Sequence, residues 1–125
     1  MSNKILIADD ATFMRMILRD ILNEGGFYNI EEAKTGYETV DMYKLLKPAV
    51  ILLDITMPDM DGIEALKQIK EIDPDAKVIM CSSIGQEAMV HECFEEGADD
   101  FVMKPFKPER IIHSVSQYIK KDTDT

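Results

Sequence analysis

Cysteine is scarce in this chain: only Cys81 and Cys93 occur among 125 residues. They have no metal-ligand spacing and cannot build the four-cysteine framework of a small stapled domain. One falls in an apolar run and the other in a helical pattern, so both read as buried reduced thiols of a cytoplasmic protein. Positive charge is also in short supply. Lys plus Arg number 14 against 24 Asp plus Glu, a formal net charge of −10. That excess argues against general binding to nucleic acid or to an anionic membrane, since both are polyanions. No apolar run nears the ~20 residues that span a bilayer. Residues 1–12 lack the basic start and long apolar stretch of a signal peptide. No Pro/Gly/Ser-rich linker divides the chain, whose length suits one domain with one sizeable core. The expectation is a single domain over 1–125, with its core in 4–120 and a polar tail at 121–125.

What the chain does have is a regular alternation. Four short apolar runs, "KILIA" (4–8), "AVILLD" (49–54), "KVIMCS" (77–82) and "DFVMK" (100–104), have strand length and the continuous apolarity of strands covered on both faces. "YNIEEAK" (28–34) is a weaker strand candidate after Gly25-Gly26. Helical patterns lie between them. Met14, Ile17, Leu18 and Ile21 share a face that ends at Gly25-Gly26. Val40, Tyr43, Leu45 and Leu46 predict a helix stopping before Pro48. Ile63, Leu66, Ile69 and Lys70 follow Gly62, and Met89, Val90, Cys93 and Phe94 form a stripe closed by Gly97. Pro108 suits a first helical position, with Ile111, Ile112, Val115 and Ile119 as the buried face. The sum is βα repeated five times: an α/β fold with a five-stranded parallel sheet, helices on both faces and right-handed crossovers. The fifth helix ends close to the tail, so no attached output domain is expected.

In an open parallel sheet the working crevice lies beyond the carboxyl ends of the strands. Reading only those ends collects Asp9 and Asp10, Asp54, Ser82 and Ser83, and Lys104 before Pro105. Within "ILLDITMPDMDG" (51–62), the strand that buries Ile51, Leu52 and Leu53 stops on a bare carboxylate, which the fold must solvate or use. Neighbouring carboxylates repel by about 4 kcal/mol at an effective dielectric near 20. Three together call for a cation, and oxygen-only ligands without His or Cys favour a hard ion such as Mg²⁺. Beside such an ion a carboxylate can act as nucleophile toward a phosphoryl group. A lysine and a hydroxyl are suited to the phosphoryl oxygens.

Each piece has a plainer reading on its own. Asp9-Asp10 suit the N-terminus of the next helix, Ser82-Ser83 suit caps, "MPDMDG" suits a turn, and Lys104 suits a solvated loop. Their joint placement at successive strand ends is what carries the site. His91 and His113 read as surface residues, and the pairs Glu31-Glu32 and Glu95-Glu96 as solvated faces.

"ILIADDATFMRMIL", "VILLDITMPDMDGIEAL", "VIMCSS" and "GADDFVMKPF" together resemble the receiver domains of two-component response regulators. Within that family they are most similar to the CheY-type single-domain chemotaxis regulators. The resemblance covers residues 4–120. It implies a flavodoxin-like (βα)5 fold with strand order 2-1-3-4-5. It also implies phosphotransfer from a chemotaxis-type histidine kinase onto Asp54, followed by slow self-catalysed hydrolysis. Carried over by position, Asp54 looks like the phosphoacceptor. Asp10, Asp54 and the backbone carbonyl of Thr56 look like direct Mg²⁺ ligands, with Asp9 acting through water. Lys104 looks like the lysine on the phosphoryl group, Ser82 occupies the switch-hydroxyl position, and Phe101 the switch-aromatic position. The family often has Tyr there, so Phe101 offers a partner no hydroxyl. The implied partners are the kinase, a motor switch or adaptor protein, and a phosphatase, met by a cytoplasmic monomer that is no enzyme beyond its own phosphorylation and dephosphorylation. A stand-alone receiver of a non-chemotaxis phosphorelay is the alternative within the family.

Rivals outside it lack a needed group. An aspartate-nucleophile phosphatase of the dehalogenase type needs a second Asp two residues after the first as general acid, and this chain has Thr56. An FMN carrier needs a hydroxyl- and glycine-rich phosphate cradle after the first strand, where Asp9 and Asp10 would repel phosphate. A pure interaction module has no use for the complete set.

Overall fold

A computed structural model describes residues 3–122. They form β1 (Ile5–Ala8), α1 (Thr12–Glu24), β2 (Ile30–Ala33), α2 (Gly36–Leu46), β3 (Val50–Asp54), α3 (Gly62–Ile72), β4 (Val78–Ser82), α4 (Glu87–Glu95), β5 (Asp100–Met103) and α5 (Pro108–Ser116). All strand pairs are parallel, in the order β2-β1-β3-β4-β5.

The apolar runs are continuous because the sheet is covered twice. Alternate residues of a strand point to opposite faces. Leu6, Ala8, Ile51, Leu53, Val78 and Met80 join the core under α2, α3 and α4. Ile5, Ile7, Val50, Leu52, Ile79 and Cys81 join the core under α1 and α5. The strand order places β1 and β3 side by side in the middle, with Ala8 opposite Leu53 in register. Their carboxyl ends, and therefore Asp9 and Asp54, emerge next to each other. Pro108 opens α5 as expected.

Several expected faces differ. β2 is shorter than 28–34: its paired register with β1 runs only from Ile30 to Ala33, and Tyr28 is exposed. Leu45 is 81% exposed: α2 turns its Val40 and Tyr43 side to the core, and Leu45 lies outside that stripe. Met14 is half-buried, while Arg15 beside it is buried along with Leu18 and Leu22. The stripe on α4 is mostly surface. Cys93 alone among its nine residues is buried, and Met89 and Phe94 are exposed. Glu32 is no solvated face, since Arg15 and Arg19 both donate to it, at 2.7 and 2.8 Å. The tail also begins with structure. The Asp122 carboxylate accepts from the backbone N–H of Tyr28 at 2.6 Å, and its own N–H donates to the Gly26 carbonyl. Residues 123–125 of the expected tail lie outside the described residues. Cys81 and Cys93 are both buried and free. Burial pushes the Cys81 thiol upward and the Cys93 thiol up to about 11, so both are neutral and poor nucleophiles at physiological pH. No helix among the described residues is long and apolar enough to cross a membrane.

Candidate functional site

Of the acids in "DITMPDMDG", only Asp54 faces the rim of the sheet. Asp61 is the N-cap of α3 and accepts from the Glu64 N–H at 2.8 Å. Asp59 accepts from the N–H groups of Gly36 and Tyr37 at the start of α2. The two later acids therefore anchor the helices that flank the loop. Gly62 has a different duty. Its N–H donates to the Ile55 carbonyl at 2.6 Å, and a Cβ there would stand 2.0 Å from the Asp54 carbonyl oxygen. Only glycine lets α3 begin pressed against the backbone of the residue that carries the central carboxylate.

The structure brings Asp9, Asp10 and Asp54 together, each with a carboxylate oxygen within 4.8 Å of the others'. Asp9 and Asp54 are buried and Asp10 is exposed. Lys104, just past β5, reaches across with its Nζ 3.2 Å from Oδ2 of both Asp54 and Asp9. Burial raises the Asp54 carboxyl above its ordinary value and the Asp9 carboxylate raises it further, while Lys104 opposes both. Burial works against the Lys104 ammonium, but Asp54 and Asp9 outweigh it and lift it above the ordinary lysine value. Three acids thus face one ammonium. Asp9 Oδ1 accepts from the Ala11 N–H at 2.9 Å, whereas its Oδ2 is buried with no hydrogen bond, meeting Lys104 only as an ion pair. A buried carboxylate oxygen without a hydrogen bond is costly. Its presence in a cluster of hard oxygen donors fits a divalent ion such as Mg²⁺.

The hydroxyl and aromatic positions lie to the other side. Ser82 ends β4 buried, and its carbonyl accepts from the Lys104 N–H at 2.8 Å. Phe101 on β5 is half-buried and meets Phe94 of α4 edge-to-face at 5.9 Å. Ser82 and Phe101 line one largely apolar cavity of about 230 Å³, together with Val90 and Met103. Thr56 is exposed in the loop after β3, and its N–H points at Asp54 Oδ1 from 3.4 Å, a long contact.

Two groups escaped the sequence reading. Gln86 donates from its amide to the Thr56 hydroxyl at 2.9 Å and accepts from the Ser83 N–H at 2.6 Å, tying the loop after β3 to the loop after β4. Nothing local marks a lone glutamine for that task. Arg15 donates to the backbone carbonyl of Asp9 at 2.7 Å. It did leave a signal, since it shares the buried stripe of Leu18 and Leu22 at helical spacing.

Comparison with known proteins identifies the family. Residues 5–116 match the response regulator receiver domain. The chain is 49% identical to the chemotaxis protein CheY of Thermotoga maritima, covering 96% of this chain and all of that one. It is 48% identical to CheY of Bacillus subtilis, covering 94% and 98%. Among solved structures it resembles that of a CheX-CheY-BeF3-Mg complex from Borrelia burgdorferi, with a TM-score of 0.85, 38% identity, and coverage of 94% of this chain and 90% of that one. The chain belongs to the response regulator receiver domain family, of the CheY type.

Proposed function

We propose that the protein is a phosphorylation-activated switch of a chemotaxis two-component system, accepting a phosphoryl group from a histidine kinase on Asp54. The observation that carries this reading is the placement of the Lys104 ammonium between two buried carboxylates, one of them with an oxygen that makes no hydrogen bond, at the mouth of a parallel sheet. An Asp54 carboxylate oxygen attacks the phosphorus as the bond to the kinase imidazole breaks, giving an acyl phosphate. Asp10, Asp54 and the Thr56 carbonyl would hold Mg²⁺ directly and Asp9 would hold it through water; the ion would supply the positive charge that offsets three acids beside a phosphoryl dianion. Lys104 turns from the carboxylates to pair with a phosphoryl oxygen as a point charge. Ser82 donates its hydroxyl to another, and Phe101 moves within the cavity the two residues share, changing the surface of α4, β5 and α5. Water later cleaves the phosphorus–oxygen bond and restores the carboxylate. The protein turns over no other substrate. It acts as a cytoplasmic monomer read by a motor switch or adaptor protein and reset by a phosphatase.

Incubation with acetyl phosphate, followed by intact-mass measurement, tests the reading. The wild type is expected to gain one phosphoryl group only when Mg²⁺ is present, and Asp54→Asn to gain none. Full incorporation on Asp54→Asn would overturn the assignment, and rapid turnover of a chromogenic phosphate ester would favour a phosphatase.

A further inference from the structure

Asp9 is held at three points that leave one carboxylate oxygen without a hydrogen bond, met only by the Lys104 ammonium as an ion pair. Its N–H donates to the Ala33 carbonyl of the neighbouring β2, and its Oδ1 accepts from the Ala11 N–H. Its own carbonyl accepts from Arg15 Nη1 at 2.7 Å. What remains is Oδ2, buried among the other acids without a hydrogen bond and paired only with the Lys104 ammonium at 3.2 Å. The carbonyl contact is unusual in its source. Arg15 is 4% exposed, and a buried guanidinium is retained only when its charge and its donors are met. Glu32 on β2 takes the Arg15 Nε at 2.7 Å, and Arg19 fixes the second oxygen of Glu32 at 2.8 Å. Burial would raise the Glu32 carboxyl, but the hydrogen bonds from Arg15 and Arg19 hold it below its ordinary value, so it stays a carboxylate. The chain of contacts runs from Arg19 through Glu32 and Arg15 to the backbone that carries Asp9 and Asp10.

We propose that Arg15, braced by Glu32, is the positioning residue of the acidic cluster and sets its affinity for Mg²⁺ by fixing the end of β1. This rests on the metal-dependent reading of the site given above. A guanidinium fork can serve Glu32 and the Asp9 carbonyl at once, which a lysine cannot do with the same geometry. Two effects of Arg15 oppose each other. Its positive charge repels a divalent ion, so its loss would tighten binding on electrostatic grounds alone. Glu32 already offsets that charge at contact distance, so the loss of orientation prevails. Residues that orient metal ligands in this way commonly change affinity by about 10- to 100-fold when removed.

Calorimetric titration of the unphosphorylated protein with Mg²⁺ tests the proposal, using Arg15→Lys, Glu32→Gln and, as a control on the same helix, Leu18→Ala. Leu18 is buried in the core under α1 and α5, and its apolar side chain takes no part in the polar network. Melting temperatures are recorded for all. The expected result is an approximately tenfold weaker affinity for Arg15→Lys and a loss of roughly threefold or more for Glu32→Gln. Leu18→Ala is expected to lose as much melting temperature or more and to keep wild-type affinity. If Arg15→Lys fails to fold, Glu32→Gln carries the test. Unchanged or tighter binding in the variants overturns the positioning role, as does weakening that Leu18→Ala shares. A wild type that binds no Mg²⁺ overturns the metal-dependent reading itself, and the positioning role with it.

Discussion

The two sides of the rim are built differently. On the β1–β3 side the backbone is closely held: Asp9 is pinned through its backbone and one carboxylate oxygen, Gly62 presses against Asp54, and α1 buries Arg15, Leu18, Ile21 and Leu22. On the β4–β5 side α4 buries only Cys93, Ile84 is 82% exposed, and an apolar cavity lies beside Ser82 and Phe101. The loop after β4 is held by the side chain of one half-buried glutamine. Close packing transmits strain, while sparse packing lets an element occupy two arrangements of similar free energy. The contrast is that of a firmly held chemical site beside a loosely packed face, which suits the switching role proposed above.

Two glycines should separate the two sides of the rim by the largest margin. Gly62→Ala drives a Cβ to 2.0 Å from the Asp54 carbonyl oxygen, backbone that cannot move aside without moving the site. A cost of about 3 kcal/mol is expected, at the upper end for overpacking. Gly85 in the β4–α4 loop has φ +94°, but a Cβ there would meet nothing within 4 Å. Gly85→Ala should therefore cost only the backbone strain, about 1 kcal/mol. Urea melts of the two variants decide it, and equal losses would mean the two loops are equally constrained.

Lys104 bridges the two sides, and its removal should separate chemistry from signalling. Lys104→Ala leaves the oxygen ligands in place, so Mg²⁺ affinity should hold or tighten. The phosphorylation-dependent gain in partner affinity should fall by about 2 kcal/mol, the scale of a charge-assisted hydrogen bond. Titration of a kinase or motor partner with and without beryllofluoride measures the gain. A collapse of Mg²⁺ affinity with an intact gain would reverse the assignment.

The fixed side stores a penalty that a substitution should release. Asp54 is buried beside Asp9, and its folded-state pKa lies above the unfolded value. A carboxyl raised on folding binds more protons in the native state, so its contribution to stability falls as pH rises through the shifted range. In metal-free buffer at neutral pH, Asp54→Asn should therefore be more stable than wild type by about 1 kcal/mol. The advantage should shrink toward zero as pH drops below the ordinary carboxylate value, where both proteins carry a neutral group. Melts across roughly pH 3 to 8, a span that brackets carboxylate titration, check the sign. The smallest effect belongs to the movable side. Gln86→Ala removes two partly exposed hydrogen bonds and should cost only about 0.5 kcal/mol, while amide exchange at Ser83 speeds up.

Much of this architecture is legible in the sequence because both faces of the sheet are covered. Continuous runs such as "VILLD" have the length and β-branched content of strands covered on both faces, and their carboxyl ends name Asp9, Asp54, Ser82 and Lys104 directly. Elements at the margins are less legible. β2 sets the half-buried Glu31 and Glu32 between the buried Ile30 and Ala33, so it has neither a continuous apolar run nor an alternation. The apolar residues of α4 look like a core stripe, yet Met89 and Phe94 face outward, and helical spacing cannot tell a core from an exposed apolar face. The pairings of Arg15 with Glu32 and of Gln86 with Thr56 are hidden for a common reason. Arg15 meets Glu32 across 17 positions, and Gln86 meets Thr56 across 30, each pair joining different elements that no local spacing relates.

The central claim, a fixed site that drives a movable reporter, is tested most directly by amide hydrogen exchange on the Mg²⁺-loaded protein with and without beryllofluoride. Changes in exchange are expected to concentrate in residues 83–95 and 100–106, with little change in 5–9 and 50–54. In Ser82→Ala the far-side changes should diminish although the mimic still binds. Uniform slowing across both sides, or undiminished far-side changes in Ser82→Ala, would contradict the account.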